Sequence, residues 1–314
     1  MKESLTIVVP IYNEEENIER LCKELNDFVK KSIIETQILF INDGSNDNSE
    51  KLINNQCSTN DKFRLLSFKK NSGLSAAIKA GFDKVVFVIS AGMEEEFVSS
   101  YIKKFPKSIQ IEYVVQTLDK IPSGISINPE RVKPWGTAHA VWTARAVIKT
   151  PFATVNADDY YGPEAFKDAV AFLNALPNAQ TYGLVAYELS NTLSEYGTVS
   201  RGVCEVKDGA LKDITERTKL IASGNEEATD EDSGLKFPLN TPVSMNFWLS
   251  TPFIFPAITA RFKAFLSGEN PEKGELYLPY IVAEQLEEQE VSVGVIPTSS
   301  QWFGLTYAQD KAAA

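Results

Sequence analysis

The sequence predicts an α/β fold with a mainly parallel sheet flanked by helices, followed by a smaller C-terminal α+β subdomain at about residues 180–311. Strand-like and helix-like segments alternate as β-α-β-α-β-α from Leu5 to Ala77, and that order implies parallel strands joined by right-handed crossovers. In mid-chain the run Phe152-Ala153-Thr154-Val155 stops at Asn156-Ala157-Asp158-Asp159, and Gly162-Pro163 then turns the chain. A buried parallel strand looks like this when its C-terminal end delivers carboxylates to a crevice. An acidic turn after a strand has the same text, because Asp is a favoured turn residue.

Each element has its own signal. Leu5-Thr6-Ile7-Val8-Val9-Pro10 reads as a buried strand that the proline ends. Glu14, Glu15 and Glu16 suit the start of a helix dipole, and Ile18, Leu21, Cys22, Leu25 and Phe28 recur at helical spacing. A second strand, Gln37 to Ile41, runs into the turn cluster Asn42 to Ser49, which also caps the next helix. A third strand spans Phe63 to Phe68, and a capped helix of small residues starts near Asn71. Strands at Lys84–Ile89 and Ile109–Gln116 then flank a helix from Glu94 to Lys104. Gly136 and Thr137 start a helix to about Ile148, with free backbone N–H groups at its mouth. Ser223 to Lys236 is acidic and aperiodic, the pattern of a mobile surface loop. Gln285 to Glu290 continues a charged helix, and Val291 to Val295 alternates like a half-buried strand.

The totals exclude several functions. A chain of 314 residues with 43% apolar content has ample material for a core. A net charge of −11 argues against a nucleic-acid surface, which needs a basic footprint. Cys22, Cys57 and Cys204 are far apart and odd in number, so they read as reduced thiols rather than a disulfide framework. His139 is the single histidine, which removes most His-based metal sites. No apolar run reaches the roughly eighteen residues of a membrane span, and no signal peptide opens the chain, so a cytoplasmic protein is expected.

Two sets of motifs carry resemblances. Val8-Val9-Pro10-Ile11-Tyr12-Asn13-Glu14, Asn42-Asp43-Gly44-Ser45 with Asp47 and Ser49, and Asn71-Ser72-Gly73 resemble the N-terminal half of family-2 inverting glycosyltransferases. The resemblance covers residues 1–82 and implies that Pro10, Tyr12 and Glu14 line a nucleotide pocket and that Asp43 contacts the base. An acid at a strand end suits that role, because it accepts the N–H groups of a uracil or guanine edge. For Asp43 and Asp47 the plain alternative is turn formation and helix capping; for Glu14 it is the helix dipole.

Residues 83–311 are similar to sugar-1-phosphate nucleotidyltransferases, the nucleotide-sugar pyrophosphorylases. The matching text is Gln116, Gly136-Thr137-Ala138, Asn156-Ala157-Asp158-Asp159, Tyr196-Gly197, Ile214-Thr215-Glu216, Val243-Ser244-Met245-Asn246 and Gly274-Glu275-Leu276. This resemblance implies that Gln116, Gly136 and Thr137 hold the nucleotide, with the base read by the first two. It implies that Gly197, Glu216, Asn246 and Glu275 line a sugar pocket. Asp158, with Asp159 beside it, would hold Mg²⁺ or Mn²⁺, hard cations that prefer oxygen ligands. Each residue also has an ordinary reading: Gly136 starts a helix, Gly197 turns the chain, Gln116 caps a strand edge and Asn246 satisfies buried backbone groups.

The chain thus reads as a mosaic of the two families on a Rossmann-like sheet expected to be continuous. Strands 36–42 and 62–68 compete with strands 84–89 and 109–116 for the places beside the first strand. The Gly-rich loop with Arg and Lys that a pyrophosphorylase uses to wrap triphosphate does not occur in the chain. Three functions fit: metal-dependent nucleotidyl transfer from a nucleoside triphosphate to a sugar 1-phosphate, glycosyl transfer from a nucleotide sugar, or a non-catalytic nucleotide-binding scaffold.

Overall fold

The computed structural model describes residues 4–11, 14–32, 35–42, 45, 47–67, 81–102, 110–125, 131–157, 159–194, 197–224, 226–268 and 274–304. The chain forms two compact units, Met1–Ala76 and Ala77–Ala314.

The first unit has the expected alternation. Strands β1 (Ser4–Ile11), β2 (Glu35–Asn42) and β3 (Phe63–Ser67) form a parallel sheet in that order. Helices α1 (Ile18–Lys31) and α2 (Ser49–Thr59) make the crossovers. Their apolar residues, including Ile18, Cys22 and Ile53, join Ile11, Ile38, Phe40 and Phe63 in one buried cluster. Pro10 does not end β1. The strand continues to Ile11, with Pro10 opposite Ile41, and an edge strand tolerates a missing N–H on its open side.

The second unit departs further from expectation. Strands β4 (Lys84–Ser90) and β5 (Gln110–Gln116) pair in parallel as a two-stranded sheet. The helix expected from Glu94 breaks up: a 3-10 turn at Ala91–Met93, one α turn at Glu94–Glu96 and a π segment at Phe97–Tyr101. Helix α3 (Thr137–Thr143) is also shorter than expected, passing into a 3-10 turn at Ala144–Ala146.

The remaining strands are β6 (Phe152–Thr154), β7 (Thr181–Glu188), β8 (Val199–Lys207), β9 (Ala210–Ala222), β10 (Glu227–Asp230), β11 (Lys236–Pro238), β12 (Pro242–Ser250) and β13 (Ser292–Thr298). They make an eight-stranded sheet in which only β7 and β13 pair in parallel. The expectation of a mainly parallel sheet is therefore corrected here. The pairs β9–β8, β8–β12, β12–β7, β7–β13 and β13–β9 close a barrel-like ring. The acidic run 223–236 is corrected too. Asp230 in β10 is buried and accepts the Ser233 hydroxyl at 2.5 Å, so a polar side chain inside the sheet takes the place of the missing apolar periodicity.

β6 is not a buried parallel strand. It is a three-residue edge strand, half-buried, and antiparallel to β12. Helices α4 (Pro163–Asn174), α5 (Ile254–Leu266) and α6 (Leu278–Glu287) complete the unit. Trp142, Tyr182, Leu184, Trp248, Ile258 and Ile281 form the centre of its main core. Among the described residues no helix is long and apolar enough to cross a membrane.

Candidate functional site

β12 carries an irregularity that makes the site. Ser244 pairs with Ala186 and Trp248 with Leu184, so Met245, Asn246 and Phe247 bulge against the single residue Val185. Asn246 takes φ 62° in the bulge, and it is exposed while its neighbours on both sides are buried. Left-handed backbone costs a non-glycine residue about 1 kcal/mol or more, and such strain collects at functional positions. The Asn246 N–H donates to Ser244 Oγ at 3.3 Å, which holds the distortion.

Around this bulge lies a cleft of about 270 Å³. Its walls include Asn156, Asp159, Arg201, Glu216, Ser244, Asn246, Tyr280 and Trp302. Crowding by the walls raises the Glu216 carboxyl above the usual carboxylate range, although its surface stays open to the cleft, and the charge of Arg201 opposes the rise. Arg201 is buried, donates from Nε to Thr192 O at 3.1 Å and from Nη1 to Ser200 O at 2.7 Å, and lies 4.8 Å from the centre of the Trp302 ring. These contacts fix a permanent cation in the wall. Tyr280, on the first turn of α6, is 57% exposed and offers an aromatic face at the same cleft.

The acid turn after β6 is internally braced. Asp159 Oδ2 accepts from Asn156 Nδ2 at 2.8 Å and lies 3.2 Å from the Tyr161 hydroxyl. Among the described residues no three His, Cys, Asp or Glu side chains converge on a metal position. With one Asp159 oxygen already committed, the described side chains do not make up a metal centre by themselves. Asp158, the expected metal ligand, lies outside the described residues, as do Tyr12 and Asp43.

A second group of expected residues gathers at the start of α3. His139 is fully buried and neutral: burial lowers its pKa, Nε2–H donates to Lys120 O at 2.6 Å, and Nδ1 accepts from Gln116 Nε2 at 2.9 Å. Gln116 is thus held by a core histidine. The helix mouth is not open. Ala138 N–H donates to Leu276 O at 3.0 Å, and Thr137 Oγ1 accepts from Leu278 N at 2.9 Å. The carbonyl of Leu276 fills the place expected for a ligand. Glu275 bonds Lys133 at 3.0 Å, and hydrogen bonding from Tyr277, then Lys133, holds its carboxyl below the usual range. Glu275 and Gly197 are not among the cleft-lining residues.

In the first unit, two motif loops clamp each other. Glu14 N–H donates to Ser49 Oγ at 2.8 Å, Glu15 N–H to Asp47 Oδ2 at 3.1 Å, and Asn48 N–H to Glu15 Oε2 at 2.8 Å. The Glu14 carboxylate accepts from Asn17 Nδ2 at 2.7 Å, a local brace. Pro10 lies nearby in sequence, in β1.

Asp159, Glu216 and Asn246 therefore meet in one cleft, while Gln116, Gly136, Thr137 and Glu275 build a neighbouring support. Arg201, Tyr280 and Tyr161 escaped the sequence reading. A lone charge in the otherwise uncharged text Val199-Ser200-Arg201-Gly202-Val203 was the available signal for the first.

Comparison with known proteins gives first a class: both matching family models are transferases. Residues 6–86 match glycosyl transferase family 2 and residues 56–303 match nucleotidyl transferase. Since the second match takes in more than half of the sequence, the chain belongs to the nucleotidyl transferase family. The chain is similar to the uncharacterized glycosyltransferase YkcC of Bacillus subtilis, 30% identical over 37% of this chain and 38% of that protein. It is also similar to a prophage bactoprenol glucosyl transferase homolog of Escherichia coli, 39% identical over 25% of this chain and 26% of that protein. The chain thus spans well under half the length of these relatives. Among solved structures, HddC from Yersinia pseudotuberculosis aligns over 77% of this chain and 81% of its own, with a TM-score of 0.45 and 12% identity.

Proposed function

We propose that the cleft beside the β12 bulge binds a sugar 1-phosphate and that the chain transfers a nucleotidyl group to it from a nucleoside triphosphate. The observation that carries this reading is Asn246, strained and exposed inside a buried strand, facing a cleft shared with Glu216, Asp159 and Arg201. Planar amide and carboxyl groups suit sugar hydroxyls, and the Tyr280 ring suits the apolar face of a pyranose. At about 270 Å³ the cleft matches a single sugar phosphate better than a whole nucleotide sugar.

In this reading a phosphate oxygen of the sugar phosphate attacks the α-phosphorus in line and pyrophosphate leaves. Glu216 and Asn246 orient the sugar, and the Gln116–Gly136 group supports the cleft from the side. A divalent cation, Mg²⁺ or Mn²⁺ on Asp158, belongs to the proposal, as does a cytoplasmic setting. Without the Gly-rich cationic loop, turnover is expected to be slow, because each lost preorganised donor costs about 10²–10³ in rate. A thermal-shift panel of UTP, dTTP, CTP and GTP with hexose 1-phosphates and Mg²⁺ tests the reading. A rise in Tm with a sugar phosphate supports it; no response to any member overturns it.

The match of residues 6–86 to glycosyl transferase family 2 favours one further reading, transfer from a nucleotide sugar. Sugar release from UDP- or GDP-hexose without pyrophosphate exchange would decide for it.

A further inference from the structure

The Tyr161 hydroxyl is the point where two separate walls of the cleft meet. It accepts the Asn156 N–H at 3.1 Å and lies 3.2 Å from Asp159 Oδ2 on one side and 2.9 Å from Met245 O on the other. Asn156 and Asp159 belong to the turn after β6, whereas Met245 is the bulge residue just before Asn246. One phenolic proton is therefore shared between a carboxylate of the turn and a carbonyl of the bulge. Tyr161 is only 2% exposed, its ring packed edge-on against Phe247 at 5.3 Å and Phe166 at 6.4 Å. The Tyr187 hydroxyl donates to the Tyr161 carbonyl at 2.6 Å, which fixes the backbone as well. Burial and the charge of Asp159 hold the phenol in its protonated form.

We propose that Tyr161 is a positioning residue: its hydroxyl sets the geometry of Asn246 and the acid turn together, so that the cleft accepts a sugar phosphate. The proposal rests on the reading of the cleft as a sugar 1-phosphate site. Phenylalanine would fill the core at this position with the same ring. Only a hydroxyl bridges the two walls, because Asn246 is held in a conformation that relaxes when Met245 loses its partner.

A double-mutant cycle tests this on the full chain, with binding of glucose 1-phosphate, galactose 1-phosphate and mannose 1-phosphate read by calorimetry. Tyr161→Phe and Asn246→Ala are each expected to weaken binding about tenfold, and the double variant also by about tenfold rather than a hundredfold. Tyr182→Phe, which removes an equally buried hydroxyl from β7, is expected to bind like the parent. Additive losses, or the same coupling from Tyr182→Phe, overturn the positioning role and leave the sugar-phosphate reading intact. A parent that binds none of the three sugars overturns both. If Tyr161→Phe does not fold, Asp159→Ala replaces it in the cycle, with the same coupling expected.

Discussion

Gly136→Ala is the sharpest stability test of the support beneath the cleft. Gly136 has φ 99° and ψ −177°, a region essentially closed to side chains, and adopting it costs alanine about 1–3 kcal/mol. An added Cβ would also stand 2.5 Å from Leu276 O and 2.8 Å from Leu276 N. Both are backbone atoms held by hydrogen bonds, Leu276 N to Trp135 O at 2.8 Å and Ala138 N to Leu276 O at 3.0 Å. Relieving the clash breaks one or both, at about 1 kcal/mol each. The total is roughly 2–5 kcal/mol, which for a unit of this size lowers Tm by roughly 4–20 °C. Far-UV circular dichroism melts measure it. Gly124→Ala separates the causes: Gly124 has φ 86° with nothing within 4 Å of its would-be Cβ, so only the strain remains. A fall of less than about 2 °C for Gly136→Ala would refute the clash argument, as would equal falls for the two variants.

Other consequences follow from the same geometry. Asn246→Gly removes the left-handed strain and is expected to raise Tm by about 1–3 °C while weakening sugar-phosphate binding about tenfold; a fall in Tm together with the weaker binding would show that Asn246 is structural. Glu216→Gln removes a carboxyl whose ionised form the crowded cleft disfavours. Its folded pKa lies above the unfolded one, so the penalty is absent below the ordinary carboxylate range and grows as pH rises through it. The variant should therefore match the parent in Tm at about pH 3 and exceed it at about pH 7, and the opposite trend would sink the assignment. Asp47 titrates the other way. Although slight burial opposes it, hydrogen bonds from Ser49 and the Glu15 N–H hold its pKa low. Its clamp is therefore intact above the ordinary carboxylate range and lost as pH falls through the lowered value. Amide exchange at Glu15 and Ser49 should quicken in Asp47→Asn at neutral pH and differ little from the parent at low pH.

Some of this molecule was legible without coordinates. Local periodicity was enough for β1 to β3 and their crossover helices, because a 3.6-residue stripe between short β-branched runs leaves few alternatives. The motif text also pointed to Asp159, Glu216 and Asn246, which the fold gathers into one cleft. It equally picked out Gln116 and Gly136, whose partners are a core histidine and a carbonyl. Residue type told what those groups are able to bind, not what already binds them.

What the sequence determined by itself was the class of segment at each point and the chemistry available there. Tertiary structure decided pairing direction and which side chains face one another. A short apolar run such as Phe152–Thr154 has the same pattern whether its neighbour runs parallel or antiparallel, since direction is set by hydrogen bonds to residues nearly a hundred positions away, in β12. The bulge at Asn246 and its tie to Tyr161 arise for the same reason. Both depend on a register between distant strands, and no local pattern of residues records a register.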